Sequence, residues 1–394
     1  MRDLDLSVEL FGISFRSPVW LASGPWGNTG EKLRFIAQEG KPGAVVTKTL
    51  MKSLREQPSP RVARVITGTQ FLGTEYSGPF TSDEWFESQL PIALQGQIPV
   101  ITSIEELSHD PEGWVDLAWR AEAAGAAMIE LGMAAPAIGS GPLPGISLFL
   151  NGRASIIAGA VKRAVSIPVV AKIPYLYPGL HVQKYVSELV TAGVDGIVTV
   201  GSVGAAWIDI EYGRPGTATS RRLGNLYGRS TKAHSMAIVQ EICSAFDIPV
   251  IGTGGIRNAQ DVIEYFMAGA SAVQLITEVM LRGPEVFRKL EDGVKTWLSE
   301  HGYSSLDDIK GKALKYLGKE NTEPYIATVD EELCNGCRMC EPVCSSVSYE
   351  LAPAIRVDDN GKARVDKTKC QGCGWCQAVC APGAVHLEGY AEGL

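Results

Sequence analysis

Short, almost continuously apolar runs recur through residues 15–300, separated by longer stretches whose apolar positions fall three and four apart. The runs are VWLASG (19–24), AVVTKTL (44–50), PVITSI (99–104), AMIELGM (127–133), PVVAKIPY (168–175), GIVTVGS (196–202), PVIGTGGI (249–256) and AVQLITE (272–278). A parallel strand covered on both faces has no polar side to show, and its neighbour is reached only by a long crossover. The pattern therefore predicts eight buried strands alternating with helices such as SIIAGAVKRAV, VQKYVSELVTAG and AQDVIEYFMAGA, several ending in a capping glycine. Eight such units in this length predict an α/β fold, a closed (β/α)8 TIM barrel, with a doubly wound open sheet as the alternative.

Enzymes built on such barrels work at the carboxyl ends of the strands. Those ends read Ser23-Gly24, Lys48-Thr49, Ser103, Gly132, Lys172, Gly201-Ser202, Thr253-Gly254-Gly255 and Thr277. One lysine in an apolar run reads as a stem reaching for solvent, but Lys48 and Lys172 aimed at one mouth point to a site cation. IGTGGIRN opens consecutive backbone N–H groups ahead of a helix N-terminus, a cradle for an anion. It follows strand seven, where these barrels bind phosphate. Gly254, Gly255, Ile256 and Thr277 are the expected donors, with Gly228 approaching from the loop after strand six. Segments 51–98 and 203–229 are long insertions expected to close over the mouth.

The last quarter of the chain changes character. CNGCRMCEPVC begins at Cys334 and CQGCGWCQAVC at Cys370, so eight of nine cysteines fall in two runs of C-x2-C-x2-C-x3-C. Zinc sites commonly use C-x2-C pairs. Three close thiols with a fourth after three residues is instead the spacing of bacterial iron–sulfur clusters, in which the fourth cysteine serves the other cluster. One [4Fe–4S] centre is accordingly assigned to Cys334, Cys337, Cys340 and Cys380, the other to Cys370, Cys373, Cys376 and Cys344. VDEELCNGC and VDKTKCQGC extend the repeat, and residues 326–390 resemble the bacterial two-cluster ferredoxin domain. Cys243 lies in an amphipathic stretch and reads as a packing residue.

A unit that moves single electrons needs a redox partner. SPVWLASGPWG, VVTKTL followed by PSPR, PVVAKIPY, GNLYGR and IPVIGTGGI ahead of AVQLITE resemble the dihydroorotate dehydrogenase family, and the flavin-containing part of dihydropyrimidine dehydrogenases. The resemblance spans about 15–285. It implies FMN in the barrel mouth, lined by Ala22, Ser23 and Gly24, with Thr49, Ser103 and Lys48 near it. Lys172 would approach N1–C2=O, and the glycines would hold the phosphate. One place departs. The family's Asn-Leu-Ser-Cys-Pro-Asn after strand four carries its usual acid/base cysteine. Here IELGMAAPAIGSG puts Gly132 for the asparagine and Ala134 and Ala135 for serine and cysteine, and methyl groups transfer no protons. Tyr175 is the candidate replacement, ahead of Tyr177, His181 and Tyr76. Glu130 reads as structural, and Glu278 as part of a local salt link.

Composition narrows the partners. A net charge of −8 argues against nucleic acid, no apolar run is long enough to span a bilayer, and the acidic N-terminus is unlike a signal peptide. The expected organisation is a flavin barrel at 1–300, a helical connection at 301–328 and a two-cluster domain at 329–394. The expected protein is a cytoplasmic, oligomeric oxidoreductase with FMN and two [4Fe–4S] clusters. It exchanges a hydride with a small unsaturated substrate at a CH–CH/C=C bond, with Lys48, Lys172 and Tyr175 as catalytic candidates. Its electrons pass to or from a redox partner protein or an NAD(P)H-oxidising flavoprotein subunit. The alternatives are a dihydropyrimidine dehydrogenase-type catalytic subunit with a relocated proton donor, and an electron-transfer subunit with no organic substrate.

Overall fold

The computed structural model describes residues 4–52, 62–67, 70–73, 78–106, 110–133, 152–176, 180–199, 201–216, 224–318, 325–346 and 353–388. Each of the eight apolar runs contains a strand: β1 Val19–Leu21, β2 Val45–Val46, β3 Val100–Ile104, β4 Met128–Leu131, β5 Val169–Lys172, β6 Gly196–Val198, β7 Val250–Thr253 and β8 Ala272–Leu275. They are parallel and joined in chain order, and β8 pairs back onto β1 to close the ring. Closure, not an open sheet, leaves no unpaired edge.

Period two sorts the ring's side chains into two sets. Trp20, Val46, Ile101, Met128, Val170, Val198, Ile251 and Ala272 form one cluster inside the barrel. Their neighbours Leu21, Ile129, Val169, Ala171 and Val273 pack outward with the helices in the larger core. A hairpin of Val8–Leu10 and Ile13–Phe15 turns at Phe11 and Gly12, both at positive φ, as a two-residue hairpin turn requires. Its Val8, Leu10, Phe11 and Ile13 pack on the inner cluster.

The two insertions meet. Within the first, Val62–Thr67 pairs antiparallel with Gln70–Gly73 as a hairpin. Gln70–Gly73 then pairs antiparallel with Gly224–Gly228 of the second, which also pairs with Ser202–Ala205. A four-stranded sheet thus ties the segment after β2 to the segment after β6.

The chain divides into two compact units, Met1–Lys315 and Tyr316–Leu394. Part of the stretch read as a connection belongs to the first: Leu306 and Ile309 are buried in its core, and Gly311 and Ala313 donate to the carbonyls of Phe266 and Met267. In the second unit, Ile326–Val329 pairs with Val385–Glu388 and Ile355–Val357 with Ala363–Val365, both antiparallel. Among the described residues no helix is long and apolar enough to cross a membrane.

The approach to β2 is the tightest point of the ring. Gly43 donates its N–H to the Val19 carbonyl, and a Cβ there would lie 1.7 Å from the carbonyl oxygen of Ser17. Gly43→Ala is expected to cost about 3 kcal/mol through forced displacement of backbone, read as a lowered melting temperature of the barrel unit.

Candidate active site and thiol clusters

Two residues beyond the inner apolar layer, the same alternation brings a polar layer to the barrel mouth. Buried Lys48 and Ser103 follow Val46 and Ile101. Glu130, Lys172 and Gln274 follow Met128, Val170 and Ala272. Glu130 and Gln274 are fully buried. The Lys172 ammonium lies 3.3 Å from Glu130 Oε1, and Gln274 Nε2 donates to Glu130 Oε2 at 3.1 Å. Gln274 Oε1 is left buried without a donor among the described residues. Across β1, β2 and β3, the Ser23 hydroxyl lies 3.4 Å from that of Thr49, which lies 3.2 Å from that of Ser103. The neighbouring Thr47 hydroxyl accepts the Ser103 N–H at 3.0 Å. Ala22 is buried and donates to the Leu275 carbonyl; at Gly24 a Cβ would strike Ile276, 2.6 Å away.

The glycines of the anion cradle also converge. Gly254 and Gly255 hold φ of 121° and 68°. A Cβ on Gly255 would lie 2.6 Å from the Lys232 Cβ and 2.9 Å from its backbone nitrogen. Gly228, with φ of 91°, enters the same corner, its carbonyl accepting the Thr231 hydroxyl at 2.9 Å. At Gly201 a Cβ would meet the Thr253 methyl at 2.9 Å. The Thr253 hydroxyl is buried and has no partner among the described residues. Ile256 is buried, and Thr277 opens the helix Thr277–Arg282. Main chain that no side chain can fill, an orphaned hydroxyl and a lysine at the mouth fit an anionic group with a polar ring above it. Gly201 and Lys232 were not singled out as cradle residues in the sequence. Lys232 bonds Asp261 at 2.5 Å and Glu264 at 2.6 Å, which outweighs its desolvation and raises its pKa.

Tyr175 does not stand alone beyond β5. Its ring stacks on that of His234, centroids 4.1 Å apart and 20° from parallel. His234 lies in the first turn of the helix Lys232–Ala245, and its Nε2 is buried without a partner among the described residues. No periodicity marked this histidine, and a ring contact between two units leaves no trace in either segment. His181 is exposed on the helix Leu180–Thr191. Tyr76, Tyr177, Ala134, Ala135 and Pro136 lie outside the described residues. Glu278 makes the local salt link expected of it, 2.8 Å from Arg282 one turn on.

In the second unit four of the eight repeat cysteines share one cavity. Cys344, Cys370, Cys373 and Cys376 line one cavity with Ala327, Ile355, Val365 and Leu387, so the last cysteine of the first run joins three of the second. The Ala327 N–H donates to Cys370 Sγ and the Ala363 N–H to Cys334 Sγ, both at 3.4 Å. The same number of residues separates the two alanines as the two cysteines, so each half supplies the donor for the other. Ala354 and Ala384 donate likewise to Cys344 and Cys380, each at 3.2 Å. Burial pushes the Cys340 thiol up to about 11 and raises that of Cys376. At Cys344 burial is outweighed by donors from Ser346, Ala354 and Ile355, and the thiol falls below its ordinary value. Cysteine sulfurs with backbone N–H donors aimed at them are what an iron–sulfur cluster needs. Cys243 is different: burial drives it up to about 12, and it packs against Gly269 as an apolar side chain.

A parallel barrel with polar residues and glycine bends at its carboxyl mouth, in one chain with a cysteine-rich unit, defines a cofactor-dependent redox protein. Residues 5–298 match the dihydroorotate dehydrogenase family and residues 319–384 the 4Fe-4S dicluster domain. The chain therefore belongs to the dihydroorotate dehydrogenase family, flavin oxidoreductases acting on CH–CH donors. It is 34% identical over 319 residues to "Dihydroorotate dehydrogenase B (NAD(+)), catalytic subunit" of Methanocaldococcus jannaschii, covering 79% of this chain and 99% of the relative. Proteins of the same description from Pyrococcus abyssi and Pyrococcus furiosus are 36% and 35% identical, again over 79% of this chain and 99% and 100% of theirs. About a fifth of this chain thus has no counterpart in these relatives.

Burial also lowers the His234 pKa from 6.5, against a hydrogen bond with the Leu176 backbone that works the other way. Below pH 6.5 the unfolded chain then binds the proton more readily, so stability is lost as the pH falls there. His234→Phe, which keeps a ring against Tyr175, is expected to flatten the fall in melting temperature over the first pH unit below 6.5.

Proposed function

We propose that this chain is the catalytic subunit of an FMN-dependent oxidoreductase whose two [4Fe–4S] clusters connect the flavin to a separate redox protein. The observation carrying this reading is one chain holding both a lysine-bearing polar layer at a barrel mouth and four thiols around a single cavity. FMN supplies the adapter chemistry, taking two electrons as a hydride and passing them on singly. The chain's own residues do the rest. Gly228, Gly254 and Gly255 bring backbone close to the phosphate. Ser23, Thr49 and Ser103 offer hydroxyls to the ring from three successive strands. Lys48 and Lys172 supply positive charge where a reduced ring carries its negative charge. Cys334, Cys337, Cys340 and Cys380 hold one cluster, and Cys370, Cys373, Cys376 and Cys344 the other.

The substrate is a small molecule oxidised or reduced at a CH–CH/C=C bond. Dihydroorotate, named in the relatives, is disfavoured by the wall of the site. Gly132 stands where the family has an asparagine, and even a Cβ there would sit 3.0 Å from the Ile104 carbonyl and 3.3 Å from the Thr49 methyl. With Ala134 and Ala135 in place of serine and cysteine, the proton must come from elsewhere, and Tyr175, stacked on His234, is the candidate. Those two alanines also favour a second reading, a subunit that relays electrons without an organic substrate. The relatives are named as catalytic subunits, which suits a partner subunit as the outside end of the electron path.

Anoxically prepared protein is expected to carry FMN and about eight iron atoms per chain. Gly255→Ala, strained at φ 68° and pressed on Lys232, is expected to lose FMN while keeping its iron. Cys344→Ser is expected to lose about half the iron while keeping FMN. Iron without flavin in the unaltered chain, or zinc in place of iron, refutes the reading. Bleaching of the flavin by a pyrimidine or an unsaturated acid separates the enzyme from the relay.

A further inference from the structure

Glu130 is the one carboxylate in the polar layer described above, and the surrounding geometry gives it a defined task. It is fully buried on β4. Removing a carboxylate from water is costly unless it is paired and its oxygens are satisfied. Both oxygens are engaged, Oε1 by Lys172 on the adjacent strand and Oε2 by Gln274 on β8, across the ring. A carboxylate accepts only, so it fixes Gln274 with its NH2 inward and its Oε1 turned away, buried and without a donor among the described residues. Each Glu130 oxygen is thus held by one donor, from strands on two sides of the ring. Lys172 differs: it is not wholly buried, its side chain being 14% exposed, and its ammonium has more donors than Glu130 uses.

We infer that Glu130 is a positioning residue and counter-charge for Lys172, and that it holds down the electron affinity of the flavin site. Unopposed, the lysine would favour the negatively charged, reduced ring strongly. Paired with a fixed carboxylate in the same dry layer, it keeps its donors but presents little net charge. A flavin so restrained gives electrons up more readily, which suits a chain that must hand them onward. This inference rests on the FMN reading above and gives Glu130, which that reading leaves as scaffold, a role beside Lys172.

The test is an anaerobic redox titration of the flavin in the full, cluster-containing chain. Glu130→Gln keeps the shape of the side chain and removes the charge. It is expected to shift the equilibrium tenfold or more towards reduced flavin, about 30 mV for a two-electron couple, with FMN affinity changed less than threefold because the glycine cradle is untouched. Lys172→Gln is expected to shift it tenfold the other way. The double variant, which buries no unpaired charge, should return close to the unaltered protein. Should Glu130→Gln alone fail to fold, the double variant against Lys172→Gln decides, and an equilibrium no different from Lys172→Gln overturns the inference. A folded, flavin-loaded Glu130→Gln protein with an unchanged potential overturns it too. If the unaltered chain binds no FMN, the flavin reading falls and takes this inference with it.

Discussion

Everything at the active end depends on the closed ring of backbone hydrogen bonds, because closure dictates which side chains may point inward. Once β8 is bonded to β1, side-chain direction alternates strictly along every strand. One layer of inward positions is apolar from Trp20 round to Ala272 and is packed by the N-terminal hairpin. The next layer towards the carboxyl ends is the first that can afford charge, and Lys48, Glu130 and Lys172 are all found there. A one-residue slip of any strand would exchange its inward and outward sets, so the packing of the apolar layer also sets the register of the chemistry. The ion pair between Glu130 and Lys172 is a product of that register, which sets Glu130 opposite Val170, two residues before Lys172 on the same face of the adjacent strand.

Much of this was legible in the sequence, and the reason is physical. Buried parallel strands must be apolar on both faces, so each of the eight announced itself as a run, and polar residues at the end of a run could only lie at a mouth. The thiol repeat was open to reading because ligand spacing is a local property, and Cys344 does share one cavity with Cys370, Cys373 and Cys376. What could not be read were contacts made by segments distant in the chain. Glu130 looked like a structural residue of its strand until Gln274, on the opposite strand, was seen to hold its second oxygen. His234 gave no sign of meeting Tyr175. The stretch after residue 300 reads as a connection because it is polar, yet Leu306 and Ile309 are buried in the barrel core, and Gly311 and Ala313 bond to Phe266 and Met267.

The thiol unit works on the same logic at smaller scale. It has little apolar material of its own, and several of its buried side chains are the cysteines themselves. Small units of this kind rely on a metal group to complete the core. The crossed donors from Ala327 and Ala363 show how duplication shapes such a unit, since each half stabilises the sulfur of the other. Relatives matched along nearly their whole length have no counterpart to about a fifth of this chain. The residues that match the 4Fe-4S dicluster domain are thus held in the same polypeptide as the barrel.

The ladder between Gln70–Gly73 and Gly224–Gly228 carries a consequence for biosynthesis. On the ribosome the first of these segments emerges with most of the barrel still unmade, and its outer edge has no strand to bond until residue 228 has left the exit tunnel. Exposed edges invite pairing with other chains. The nascent protein must therefore pass through a long window in which this sheet is half built and open to the wrong neighbour, and that window closes only after the sixth strand has been made.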